Sequence, residues 1–168
     1  VAVERTLSAV GSRLARILSR ADATGAAVTV DMEQYTHKEL TLRAVIAAAR
    51  TPGRAPLSVA VQTYVRDETA QDLLDLERAA ADACRPLGIR LVKGANWDSD
   101  TVLAARRGWP NPLFDRKDET DRAFEHHAAG LFERRGALRK AFGTHNVRSI
   151  AWVLACAEAA GAGREDLE

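Results

Sequence analysis

The most constraining feature of this chain is an alternation. Short runs rich in Val, Leu and Ile are each followed by a longer segment whose apolar residues recur at three- and four-residue steps. Residues 3–20 read as an amphipathic helix through Val3, Leu7, Val10, Leu14, Ile17 and Leu18. A strand is expected over Ala26–Met32, a helix over His37–Arg50, a strand over Leu57–Tyr64 and a helix over Glu68–Arg85. A third strand covers Gly88–Lys93, a short helix Ser99–Arg107, a helix Thr120–Arg135, a fourth strand Arg139–Gly143 and a last helix Val147–Ala160. Thr51-Pro52-Gly53, Pro86, Gly88 and Gly136 punctuate these elements, and GWPNPLFDRK reads as a loop.

Strands separated by helices pair most economically in parallel, because a parallel pair needs a long crossover. The strands look apolar nearly throughout, as in a sheet covered on both faces. Two architectures satisfy this: an open doubly wound sheet or part of a (β/α)8 barrel. No GxGxxG or Walker loop follows any strand, which weighs against a nucleotide-binding doubly wound sheet. With 168 residues and no low-complexity linker the chain reads as one domain, residues 1–25 forming a leading helix and its connection.

Other classes are excluded by charge and spacing. A net charge of +1 gives no field suited to nucleic acid or an anionic membrane. Arg106-Arg107 and Arg134-Arg135 sit in polar helical contexts and read as solvated faces. Cys84 and Cys156 form no CxxC and are expected as free core thiols in a reducing compartment. None of the four histidines has a zinc-ligand partner at a recognised spacing. No apolar run reaches the ~18 residues a membrane helix needs, and the first residues do not read as a secretory leader. Cytoplasmic placement is therefore expected.

The strand ends carry the functional signal. The expected strands finish in Asp31-Met32-Glu33-Gln34, in Gln62-Thr63-Tyr64, in Lys93-Gly94-Ala95-Asn96-Trp97 and in Thr144-His145-Asn146. The carboxyl edge of a parallel sheet is where ligands bind. One such ending means little, since an Asp after a strand commonly caps a helix. Several delivering Asp, Gln, Arg, Lys and His to one rim describe a converging polar site. Why RLVKGANWDSD should carry Arg90 and Lys93 into a strand exit and follow them with Gly94-Ala95 is then a question about a ligand. Glycine lets backbone approach a ligand closely, and adjacent N–H groups favour anionic oxygens.

RLVKGANWDSD, VTVDMEQ, VAVQTY and FGTHN, in this order, resemble the flavin-dependent proline dehydrogenases, including the proline dehydrogenase domain of the bifunctional proline utilisation enzymes. PLFDRKDETDRAF resembles the segment between the third and fourth strands, and the likeness runs from about Val28 to Glu168. It implies a (β/α)8 barrel around FAD, of which this chain supplies about half, since such a barrel takes ~250 residues. The family's substrate lysine and its carboxylate-gripping paired arginine are then expected outside this segment.

By the same resemblance, Arg90 lies beside the flavin ring with Asp31 next to it, although Asp31 also suits a helix cap. Gln62 meets the pyrimidine edge of the ring, and Met32 packs on the ring or its linker. Lys93, Gly94 and Ala95 serve the pyrophosphate or ribityl oxygens, Trp97 stacks near the adenine or flavin, and Thr144 and His145 reach the cofactor. Asn96 stands where the bifunctional enzymes carry an aromatic, in GAYWDS. The implied reaction is oxidation of L-proline to Δ1-pyrroline-5-carboxylate. Its electrons go to a membrane quinone by peripheral contact, and a pyrroline-5-carboxylate dehydrogenase is fused or associated. Two other readings stay open: a non-catalytic or self-associating fragment, and an unrelated barrel enzyme using Lys93 as a Schiff base.

Overall fold

A computed structural model describes residues 2–134 and 137–163. Arg135, Gly136 and residues 164–168, to which parts of the sequence reading refer, lie outside the described residues. In chain order the elements are α1 (Ala2–Thr24), β1 (Val28–Val30), α2 (Lys38–Ala49), β2 (Leu57–Gln62), α3 (Thr69–Ala81), β3 (Leu87–Val92), α4 (Trp97–Arg107), α5 (Lys117–Glu133), β4 (Arg139–Gly143) and α6 (Val147–Ala159). The expected elements are all present, with shifted ends. β1 is shorter than expected because the Ala26 N–H still bonds the Ala21 carbonyl, and pairing begins only where Val28 N–H meets the Pro56 carbonyl. α3 stops before Arg85 because the Cys84 N–H turns to the Ala49 carbonyl. α5 starts at Lys117 because the Glu119 carboxylate accepts the Arg116 N–H, a helix-starting contact.

The sheet order decides between the two architectures. Among the described residues the strands lie β1-β2-β3-β4, every pair parallel. A doubly wound sheet reverses direction at a switch point, and this one does not. Right-handed crossovers that always step the same way put all helices on one side. The result is an arc of a (β/α) barrel with a helix-covered outer face and a helix-free inner face.

The two faces differ, which corrects the expectation of strands apolar on both sides. The register places Val28, Val30, Leu57, Val59, Val61, Leu87, Ile89 and Leu91 on the outer face. They join Leu42, Val45, Leu73, Leu76, Phe124, Leu131 and Val153 of the helices in one core. Apart from Val92, the inner face instead carries cross-strand rows of small and polar side chains: Ser58, Gly88 and Arg139, then Ala60, Arg90 and Ala141, then Gln62, Val92 and Gly143. A Cβ built on Gly88 would lie 2.8 Å from Ser58 Oγ and 3.0 Å from Arg139 Cβ, so these three share a face. The period-2 alternation is real, but its polar half is compressed into Ser, Gly and Ala, which read as neutral in a short run.

The amino-terminal end of the sheet is fastened by a cation the periodicity does not reveal. Arg85 has a buried guanidinium whose Nε donates to the Thr51 carbonyl at 3.0 Å and whose other nitrogens reach the Pro52 and Ala55 carbonyls and Asp22. Asp22 also accepts the Arg54 and Ala55 N–H groups at 2.8 and 2.6 Å, and these backbone bonds hold its carboxyl below the usual range. Arg85→Met would strand three carbonyls, so a loss of about 2–4 kcal/mol is expected. Urea unfolding should show it as a lowered midpoint at unchanged slope. A midpoint like that of the parent would make the clasp energetically idle.

His127 on α5 is half-buried, and burial, with His126 and Arg134 nearby, pushes its pKa down to about 4. An unfolded histidine titrates near 6.5. Between those values the unfolded chain binds the extra proton, so stability should fall as pH drops from about 6.5 to about 4. Thermal melts across that window should slope less steeply for His127→Gln; parallel curves would exclude His127 as the source. Both cysteines are free, as expected; Cys156 is half-buried and packs against the core, whereas Cys84 is exposed and is not a core thiol.

Candidate functional site

The strand exits converge. A groove of about 850 Å³ opens on the inner face at the carboxyl edge of the sheet, within the size range of cofactor sites. Asp31, Met32 and Glu33 border it after β1, and Ala60 and Gln62 from β2. Arg90, Val92 and Lys93 to Asn96 enter from β3, and Gly143, Thr144 and His145 from β4. All the candidate residues except Trp97 line this one groove.

Arg90 follows the inward alternation and its guanidinium is paired with Asp31. Both remain partly open, with side chains 39% and 69% exposed, so the charges are poised over the groove. Asp31 thus binds Arg90, and no side-chain cap links it to the helix that follows. The pair holds the guanidinium at the rim of the groove.

Gln62 is 4% exposed. Its Nε2 donates to the Met32 and Glu33 carbonyls at 3.0 and 3.2 Å, which fixes the amide orientation. That leaves Oε1 buried with no hydrogen-bond partner among the described residues. An orphaned acceptor of this kind costs about 1–3 kcal/mol unless a donor arrives. Met32, 8% exposed, contributes its side chain to the core and its carbonyl to Gln62. Thr144 Oγ accepts the Asn146 N–H at 3.2 Å, and Asn146 caps α6 by accepting the Ser149 N–H. This local cap holds exposed His145 at the rim.

Two candidate residues sit differently from expectation. Lys93 does not offer a free point charge to the groove. Val92 faces inward, so Lys93 faces the helices, where Nζ bonds Asp121 at 2.6 Å and Ser149 at 2.9 Å and lies over the Phe124 ring. Burial opposes it, yet bonds from Lys117 and Lys93 lower the Asp121 pKa, which keeps that ion pair formed. Lys93 therefore ties the β3 exit to α5 and α6 while still counting among the groove's lining residues. Trp97 opens α4 and its Nε1 donates to the Phe114 carbonyl at 2.7 Å, which turns the indole to the outer loop. The Tyr64 hydroxyl donates to Asp100 Oδ2 at 3.0 Å, a pairing across segments distant in sequence that the strand-end pattern does not display.

A family model described as proline dehydrogenase matches residues 1–168. The chain belongs to the proline dehydrogenase family. Among solved structures it is similar to proline utilization A (PutA) from Bdellovibrio bacteriovorus inactivated by N-propargylglycine, with 32% identity and a TM-score of 0.92 over 99% of this chain. A PutA variant from Bradyrhizobium japonicum matches at 30% identity and a TM-score of 0.87, again over 99% of this chain. PutA from Corynebacterium freiburgense, at 24% identity and a TM-score of 0.85, shares the fold. The chain spans only 18%, 17% and 18% of those three chains. No curated protein matches. The proline dehydrogenase fold is the barrel type that the sequential parallel strand order indicates. Among the described residues no helix is long and apolar enough to cross a membrane, and no cluster of three or more His, Cys, Asp or Glu could hold a metal ion.

Proposed function

We propose that this proline dehydrogenase segment forms part of the flavin-binding wall of an enzyme that oxidises L-proline to Δ1-pyrroline-5-carboxylate, with FAD as cofactor. The observation that carries the reading is the unpartnered, buried amide oxygen of Gln62, a residue that lines the same groove as Arg90 and Asp31. An isoalloxazine ring presents an N–H donor flanked by carbonyl acceptors, which fits an amide acceptor beside a fixed guanidinium. When bound, FAD supplies the hydride acceptor for a C–H next to the substrate nitrogen. Gln62 would orient the ring edge, Arg90 would stabilise negative charge near it, and Gly94, Ala95, Thr144 and His145 would border the remainder of the cofactor. N-propargylglycine, which inactivates the Bdellovibrio relative, is, like proline, an α-amino acid with a secondary amine.

Among the described residues no strand pairs with the outer edges of β1 and β4, so in this reading the arc would be closed into a barrel by other polypeptide. Transfer of electrons to a membrane quinone and a fused pyrroline-5-carboxylate dehydrogenase belong to this same proposal. The Schiff-base reading is not favoured, because Lys93 Nζ is already bonded to Asp121 and Ser149.

The test uses the full-length protein that carries this segment. It should purify yellow, reduce a dye in the presence of proline, and lose that activity on incubation with N-propargylglycine. A protein that takes up no FAD, or that turns over no proline when loaded, would leave the segment a structural member only.

A further inference from the structure

Beneath the groove, outside its lining, three strand exits meet on one pair of side chains. Tyr64 is 2% exposed and Asp100 is 4% exposed. Asp100 Oδ2 accepts the Tyr64 hydroxyl at 3.0 Å and the Tyr35 N–H at 3.2 Å. The Tyr64 ring lies against Gly94, where a built Cβ would sit 2.6 Å from ring carbons. Tyr64 N–H also donates to the Lys93 carbonyl at 2.9 Å. Asp100 thus joins the segment after β1, the segment after β2 and, through its own helix and the Tyr64 ring, the Lys93–Asn96 turn after β3. Neither residue is part of the groove's lining, but Tyr64 contacts the lining residues Lys93 and Gly94 directly, and the pair links the groove's borders on these three sides.

We propose that Tyr64 and Asp100 are positioning residues, a clasp that sets the spacing of the groove's rim and so its grip on the flavin. This rests on the flavin-site reading above. The single oxygen Oδ2 takes both bonds, so an asparagine oxygen can replace it, whereas alanine cannot. That gives the clasp a signature separable from bulk. Phenylalanine at 64 keeps the ring on Gly94 and removes only the hydroxyl.

The experiment uses the full-length flavoprotein, stripped of cofactor and titrated with FAD by fluorescence quenching, with visible circular dichroism of the reconstituted protein. Tyr64→Phe should weaken FAD binding about tenfold, the equivalent of one lost hydrogen bond, and Asp100→Ala, which loses two, should weaken it by at least as much. Both should alter the flavin dichroism, while Asp100→Asn stays within about twofold of the parent. Unchanged affinity and dichroism in Tyr64→Phe would overturn the clasp while leaving the flavin reading intact. Equal losses in Asp100→Asn and Asp100→Ala would also overturn it, since a role needing the charge is not this one. If Asp100→Ala fails to fold, Tyr64→Phe and Asp100→Asn decide. A parent protein that binds no FAD removes the flavin reading, and with it this one.

Discussion

Replacing Arg90 with methionine in the full-length protein is expected to slow reduction of the bound flavin by proline about 10²–10³-fold, with folding retained. Arg90 sits on the inner face, in register with Ala60 and Ala141, and its side chain is 39% exposed. It contributes nothing to the outer-face core, so a methionine of similar length should be accepted. What is lost is a fixed positive charge at the groove, already oriented by Asp31. Preorganised charge of this kind typically accounts for about two to three powers of ten in rate. The orientation also predicts a graded companion: Asp31→Asn should slow reduction less, because it leaves the cation in place but loosens it. Stopped-flow reduction under anaerobic conditions measures both. An Arg90→Met rate equal to the parent's would remove Arg90 from the chemistry, whatever its position.

The physical reasons for what could be read in advance are specific. The outer face was legible because Leu57, Val59, Ile89 and Leu91 are large and apolar, and hydrophobic burial is what periodicity reports. The rim was legible because residues just past a parallel strand end share one edge by topology, whichever helices intervene. The inner face was not, because Gly88, Ala60 and Ala141 carry almost no side-chain signal, and their role depends on neighbours brought in by register. Lys93 was placed on the correct rim, but its direction follows from a one-residue step past Val92, which a motif does not display. Arg85, Tyr64 and Asp100 depend on partners about 30 or more residues away, such as the Pro52 carbonyl and the Tyr35 N–H. Local pattern holds no trace of such pairings.

Gly94 offers the second large effect, and it separates two causes that a single substitution confounds. Its φ is +119°, a region that L residues rarely adopt. The space a side chain would need is also taken, because a Cβ would meet Tyr64 ring carbons at 2.6 Å. Backbone strain costs about 1–3 kcal/mol at such a position, and overpacking a comparable amount. Gly94→Ala should therefore lose about 3–5 kcal/mol and with it most FAD affinity, since the turn that borders the groove must move. Trimming the ring relieves only one of the two causes. In a Tyr64→Ala background the same Gly94→Ala change should cost about 1–3 kcal/mol, the strain alone, although Tyr64→Ala is itself destabilising. The coupling in that double-mutant cycle reads the contact between ring and turn. Equal costs in the two backgrounds would mean that the ring does not support the turn, and Gly94 would then be glycine for its backbone alone.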